Sequence, residues 1–276
     1  MPKPDNFVPF FYGDKIMHAN FNLKREIANE LTCRRTSSPN TYLNFHSQIE
    51  IYLVLSGEIE VIINDKRKVL RGGEFSVALC YDAHGYRAVS DAEAIYLIIP
   101  TGMCQEFLAL SQDRRTPSPF INDRTTYETV LYAMNVLLDK SRNELSRRGA
   151  VCTILGAILD RMTVEDSSPE PQHTFSAEIL IYVSEHFAEE LTLDMLAKKF
   201  GYNPSYLSRS FRQSFGMPFC KYLTMLRLRE AVLMRRGGER SITKCAIDSG
   251  FGSMRSFYRA FREEFGTTPK EYFANC

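Results

Sequence analysis

The fifteen-residue stretch "YNPSYLSRSFRQSFG", at Tyr202 to Gly216, has a near-echo in "GSMRSFYRAFREEFG", at Gly252 to Gly266. Each copy follows a shorter matching segment, "LTLDMLAKKFG" or "RSITKCAIDSG". These segments open on a hydroxyl N-cap (Thr192, Ser241), carry an alanine five residues on (Ala197, Ala246) and reach a helix-ending glycine nine residues after the cap (Gly201, Gly250). The pattern predicts a short helix, a tight turn one residue longer in the second copy, and a second helix. That is helix-turn-helix geometry, built twice. A chain constrained in this way must give its C-terminal hundred residues to an all-helical domain.

With 3.6 residues per turn, Leu207, Phe211 and Phe215 share one face of the second helix, as do Phe257, Phe261 and Phe265 in the other copy. Those faces are core. The opposite faces present Ser205, Ser208, Arg209 and Arg212 in the first copy and Arg255, Tyr258, Arg259 and Arg262 in the second. An amphipathic helix with a solvated charged face is the ordinary explanation of one such copy. Two copies argue otherwise, because Arg209 and Arg212 stand at the same offsets from Phe211 as Arg259 and Arg262 from Phe261. Arginine at such positions bonds a guanine edge through two donors or clamps a phosphate.

Between the copies, "FCKYLTMLRLREAVLMRRG" predicts a helix from about Phe219 to Arg236, with Leu223, Leu226 and Leu233 at helical spacing. Such a helix spans roughly 27 Å, close to the roughly 34 Å between successive major grooves on one side of B-DNA. The expected partner is therefore double-stranded DNA, read in two adjacent grooves. Charge agrees in sign: residues 176–276 hold 15 Lys+Arg against 11 Asp+Glu, a net +4, whereas residues 1–175 hold 19 against 22, a net −3.

These residues resemble the AraC family of bacterial transcription regulators, and the resemblance covers all of 176–276. It rests on "GYNPSYLSRSFRQSFGMPFCKYL", on "RLREAVLM" and on the long signature "AIDSGFGSMRSFYRAFREEFGTTPKEYF". The resemblance implies that the two second helices are recognition helices. Ser205, Ser208 and Arg209 then face one groove, and Arg255, Tyr258 and Arg259 the other. Pro218 and Phe219 depart from the serine and proline more usual after the glycine, and the first recognition face is poorer in long side chains. Base reading then leans on the second copy, or the first acts mainly through phosphates and DNA shape.

The N-terminal half follows another period. "IEIYLVLSGEIEVIIND", broken at Ser56-Gly57 and Asn64-Asp65, then "FSVALC", "YRAVS" and "EAIYLIIP", predict short antiparallel strands of a sandwich or barrel. "TYETVLYAMNVLLDK" and "LSRRGAVCTILGAILDRM" predict two amphipathic helices over 125–163 that cover the sheet or pair with another subunit. The polar, proline-containing "VEDSSPEPQH" reads as a linker, and "KREIANELTCRR" as an arm or edge of the barrel.

The order His46, three residues, Glu50, strand, Gly57, strand resembles a cupin barrel, as does "LRGGEFSVALCYDAHGYRA" with His84. The predicted class is thus α+β, in three parts: a cupin-like β-barrel with two accessory helices for effector binding and dimerisation (1–163), a linker (164–175), and an all-α domain of two helix-turn-helix units joined by a long helix (176–276). Catalytic cupins hold a metal with a His-x-His pair, a glutamate and a later histidine, and here Asn44 stands in the first histidine's place. No metal and no cofactor is assigned. His46, Glu50, Tyr52 and His84 are instead candidates for binding a small-molecule effector, a sugar or other metabolite, as the family resemblance implies. Against this, Tyr52 also reads as packed core and the other three as solvated loop groups.

No GxSxG, GxxxxGK[ST] or HExxH motif is present, nor a GxGxxG after a strand, so no enzyme activity is expected. No apolar run reaches eighteen residues and the first residues do not resemble a signal peptide, so the expectation is a cytoplasmic protein without membrane association. The seven cysteines lack a CxxC pair and read as reduced thiols, mostly in the core. The family resemblance also implies a homodimer and contact with RNA polymerase. Two other readings stay open: a metal-dependent cupin enzyme fused to a DNA-binding module, and a ligand-independent DNA binder.

Overall fold

The computed structural model describes residues 10–12, 15–17, 19–64, 66–111, 114–115, 118–164 and 175–274. The chain divides into two units, one of residues 28–172 and the other joining the segment that ends at Ile27 to the chain from His173 onward. The first helix, α1 (Leu23–Ala28), lies at that boundary.

In the unit of residues 28–172, the strand Ile49–Ser56 explains the layering. Ile49, Ile51 and Leu53 belong to a core shared with helices, whereas Tyr52 and Val54 belong to a second core with Ile59, Val61, Ile63 and Leu70. A strand buried on both faces reads as a near-continuous apolar run, as "IEIYLVL" does. It is central in a five-stranded sheet of order Phe120–Ile121, Phe75–Ala78, Ile49–Ser56, Glu93–Ile99, Thr32–Ser37. Opposite it, Asn44–Phe45, His84–Ala88, Glu58–Ile63 and Lys66–Arg71 pair in that order, and all the pairings are antiparallel. Gly57 makes the first hairpin possible, since at φ +74° a Cβ there would meet Asp91 O at 2.1 Å.

Among the described residues, three α-helices complete this unit: α2 (Gln105–Leu110), α3 (Arg124–Leu138) and α4 (Glu144–Leu159). Asp123 and Asn143 cap α3 and α4 by accepting from Thr126 N and Ser146 N. Val130, Met134, Leu137, Val151, Ile154 and Ile158 pack on the outward face of the Ile49–Ser56 sheet, and Tyr127 Oη donates to Val54 O at 2.8 Å. The helix pair therefore covers the sheet.

The other unit contains α5 (Phe175–His186), α6 (Leu193–Phe200), α7 (Pro204–Phe215), α8 (Phe219–Arg236), α9 (Ile242–Asp248), α10 (Met254–Phe265) and α11 (Pro269–Ala274). Thr192 and Ser241 cap α6 and α9 as expected, accepting from Met195 N and Lys244 N. Gly201 and Gly250 follow in the left-handed region, at φ 72° and 93°.

Three expectations need correction. The expected domain 1–163 includes the segment 19–27, yet that segment groups with the helical unit: Ala19 N donates to Ser214 O at 3.2 Å, Phe21 packs edge-on against Tyr222 at 5.0 Å, and Arg236 Nη1 donates to Ile27 O at 3.2 Å. The cysteines are only partly core: Cys104 and Cys245 are buried, Cys33 and Cys80 half-buried, Cys152 and Cys220 exposed. Burial pushes the Cys33 and Cys104 thiols up to about 12, which leaves them poor nucleophiles. Phe265 is half-buried, closed over by Tyr272 at 4.9 Å. The expected linker falls almost entirely outside the described residues.

Candidate nucleic-acid interface and barrel site

Helices α7 and α10 are each twelve residues long and stopped at each end by their own chemistry. Asn203 accepts from Ser205 N and Tyr206 N with Pro204 in the first turn, and Gly216 ends α7 at φ 62°. Ser253 accepts from Ser256 N, and Gly266 ends α10 at φ 70°. Leu207, Phe211, Phe215, Phe257 and Phe261 are at most 3% exposed, so the rotation of both helices is fixed by burial.

That rotation turns outward all eight residues expected there. Ser205, Ser208, Arg209, Arg212, Arg255, Tyr258, Arg259 and Arg262 are exposed. Among the described residues, none of the five arginines forms an ion pair. The two carboxylates at the end of α10 share one lysine of α8, Lys221, whose Nζ lies 3.0 Å from Glu263 and 3.3 Å from Glu264. Tyr258, Arg259, Arg262, Glu263 and Thr268 line an open cleft of about 570 Å³. Guanidinium and phenol groups held on a rigid helix with solvent on one side suit phosphate and base-edge contacts.

In the barrel, alternation along two strands gathers the second set. Glu50 and Tyr52 share a face of Ile49–Ser56, and His84 and Tyr86 share a face of His84–Ala88. His46, Glu50, Tyr52 and His84 are all buried, which excludes the reading of solvated loop groups. Glu50 Oε2 lies 3.2 Å from His46 Nε2 and 3.5 Å from His84 Nε2. Each Nδ1 faces a backbone carbonyl, His46 at Gln48 O (3.1 Å) and His84 at Asp82 O (2.8 Å). A carbonyl only accepts, so both Nδ1 atoms carry protons and both Nε2 atoms turn to Glu50. Burial alone would raise Glu50, but His84 and His46 outweigh it and hold the carboxyl well below the ordinary range. Burial opposes the imidazolium of His84, and Glu50 reverses that and raises it.

These three residues place one donor atom each within 4.8 Å of one another. Two imidazoles with fixed tautomers and a carboxylate fit a divalent first-row metal ion. Asn44 takes no part, since its amide donates to Tyr42 O and His84 O. The sequence reading missed Tyr86, which stacks on Tyr52 at 4.0 Å. Its signal was its position two residues from His84, on the same strand face. The buried Oη atoms of both tyrosines and Ser76 Oγ make no hydrogen bond of good geometry among the described residues, although Tyr86 lies close enough to Glu50 and Ser76 to interact with both, and Tyr52 to Thr36.

Residues 196–275 match the family model of a helix-turn-helix domain, and residues 37–100 that of a cupin domain. Regulatory protein SoxS of Salmonella typhimurium is 37% identical over 94 residues, which are 34% of this chain and 88% of SoxS. SoxS of Escherichia coli strain K12 is 36% identical over 95 residues, 34% of this chain and 89% of that protein. Among solved structures, ToxT from Vibrio cholerae aligns over 88% of this chain and 97% of its own, at 12% identity and a TM-score of 0.44. Likeness to SoxS over nearly the whole of that regulator fixes the membership: this chain belongs to the AraC family of transcription regulators, with a cupin-like domain before its helix-turn-helix domain.

Proposed function

We propose that the two recognition helices read consecutive major grooves of one DNA segment. Ser205, Ser208, Arg209 and Arg212 contact the first, and Arg255, Tyr258, Arg259 and Arg262 the second. The observation that carries this reading is the pair of exposed arginine faces set at equal offsets from the buried Phe211 and Phe261. The cupin-like domain carries the sensing function, and a small effector, a sugar or other metabolite, binds at His46, Glu50, Tyr52 and His84. Effector binding acts through its differential affinity for two arrangements of a homodimer, altering how that dimer meets its half-sites or RNA polymerase. The exposed Tyr132 and Leu145 on α3 and α4 support dimerisation through those helices. The protein acts in the cytoplasm and its output is regulation rather than catalysis. Recovery of duplexes from a randomised pool by the full-length protein tests this reading. A shared sequence in two blocks, one helical turn apart, is the expected result, and recovery of no common sequence would refute it.

A second reading is favoured by the His46, Glu50 and His84 cluster: a sensor, or an enzyme, that depends on a divalent metal. Bound there, such an ion would supply a Lewis acid with open positions for a small oxygen ligand. The two imidazoles and Glu50 would hold it, and the backbone carbonyls of Gln48 and Asp82 would orient the rings.

A further inference from the structure

Arg227, in the "RLREAVLM" segment of α8, is half-buried and bonded twice. Its Nε donates to Phe187 O at 2.8 Å and its Nη2 to Glu189 O at 2.8 Å. Those carbonyls follow the end of α5, on the approach to the first helix-turn-helix unit. The same side chain abuts the second unit. At Gly250, in the turn between α9 and α10, a Cβ would stand 2.9 Å from Arg227 Nε, 2.7 Å from Ala188 O and 2.8 Å from Ala188 Cα. The turn therefore presses its bare backbone against both the guanidinium and the chain it holds.

Other arginines of α8 make different bonds: Arg229 pairs with Glu26 and lies over the Phe187 ring at 5.6 Å, and Arg236 donates to Ile27 O, so Arg227 alone of these three bonds the Phe187 and Glu189 carbonyls. Arg227 is placed where the approach to the first unit, the connecting helix and the turn of the second unit meet. A planar fork satisfies two carbonyls at once, and its removal leaves both without a donor. The φ of +93° and the close approach at Gly250 leave the second unit no room to shift towards that junction.

From this we infer that Arg227 is a positioning residue, the tie that sets the second recognition helix relative to the first and so fixes the base-pair spacing the protein accepts. The inference rests on the two-groove reading. Its test compares two duplexes: one recovered from a randomised pool by the full-length protein, and the same duplex with two base pairs inserted between its two protected blocks. The insertion rotates the second block by roughly 70° and moves it by roughly 7 Å.

Wild-type protein is expected to bind the lengthened duplex at least about 30-fold more weakly, because a rigid pair loses its second contact. Arg227→Met is expected to bind the original duplex about 10-fold more weakly and to distinguish the two duplexes by less than about 3-fold. Circular dichroism should show its helices retained. Arg227→Lys keeps the cation but not the fork, and is expected to fall between the two. It carries the test if the methionine variant does not fold. Wild-type discrimination retained by the folded variants, on a two-groove footprint, would overturn the tie alone. A wild-type footprint over a single groove would overturn the two-groove reading and the tie with it.

Discussion

Glu26 Oε2 lies 3.1 Å from Arg229 Nη1, with the two side chains only 2% and 13% exposed, so a buried ion pair joins the N-terminal segment to the connecting helix. Breaking one half of such a pair leaves the other charge buried, which costs about 3–5 kcal/mol. Glu26→Ala should lower the unfolding free energy of the full-length protein by that order in urea titrations. The double variant with Arg229→Ala should recover part of the loss. Additive losses in the cycle would show that the two charges are not coupled.

Arg259 stands on the exposed face of α10, two residues before the buried Phe261. Arg259→Ala should cost about 1–3 kcal/mol of specific binding and relax the preference at one base position, as measured with a panel of single-base duplex variants. Weakening by the same factor on every duplex would instead assign Arg259 to a phosphate.

The barrel triad gives a prediction that separates the two readings of that domain. If His46, Glu50 and His84 hold a metal ion, the purified protein should bring down stoichiometric iron, manganese or a similar ion in elemental analysis, and His84→Ala should abolish it. Occupancy unchanged by His84→Ala would place any ion elsewhere.

Acid should act on the last helix in a defined window. Glu271 accepts from Thr268 N at 3.0 Å and from the Thr267 and Thr268 hydroxyls at 2.8 Å, and these bonds lower its carboxyl to about 2. A depressed value stabilises the folded state above the ordinary carboxylate range, and the contribution is lost as pH falls through the folded value. The melting temperature of the wild type should therefore exceed that of Glu271→Gln at pH 6, with the gap closing between the ordinary carboxylate pKa and about 2. A gap that persists at pH 2 would contradict this.

Local chemistry made much of this structure legible. Thr192 and Ser241 announced helix starts, Gly201 and Gly250 announced stops, and α8 runs from Phe219 to Arg236 as its leucines required. The apolar, β-branched run "IEIYLVLS" marked the strand, whereas Glu50 and Tyr52 came into view only through the cupin resemblance. Contacts between distant segments were not legible. Nothing local to Glu26 specifies Arg229, about two hundred residues away, and nothing local to Arg227 specifies the carbonyls of Phe187 and Glu189. Tyr86 was missed because an aromatic on a strand reads as core until its neighbours across the barrel are known.

The central claim is that two arginine-bearing helices of one chain enter consecutive grooves of the same duplex. Hydroxyl-radical footprinting of the full-length protein on its selected duplex tests this most directly. Two protected patches on one face of the DNA, about 10 base pairs apart, are predicted. Arg209→Ala should weaken one patch and Arg259→Ala the other. A single patch weakened alike by both substitutions would contradict the account.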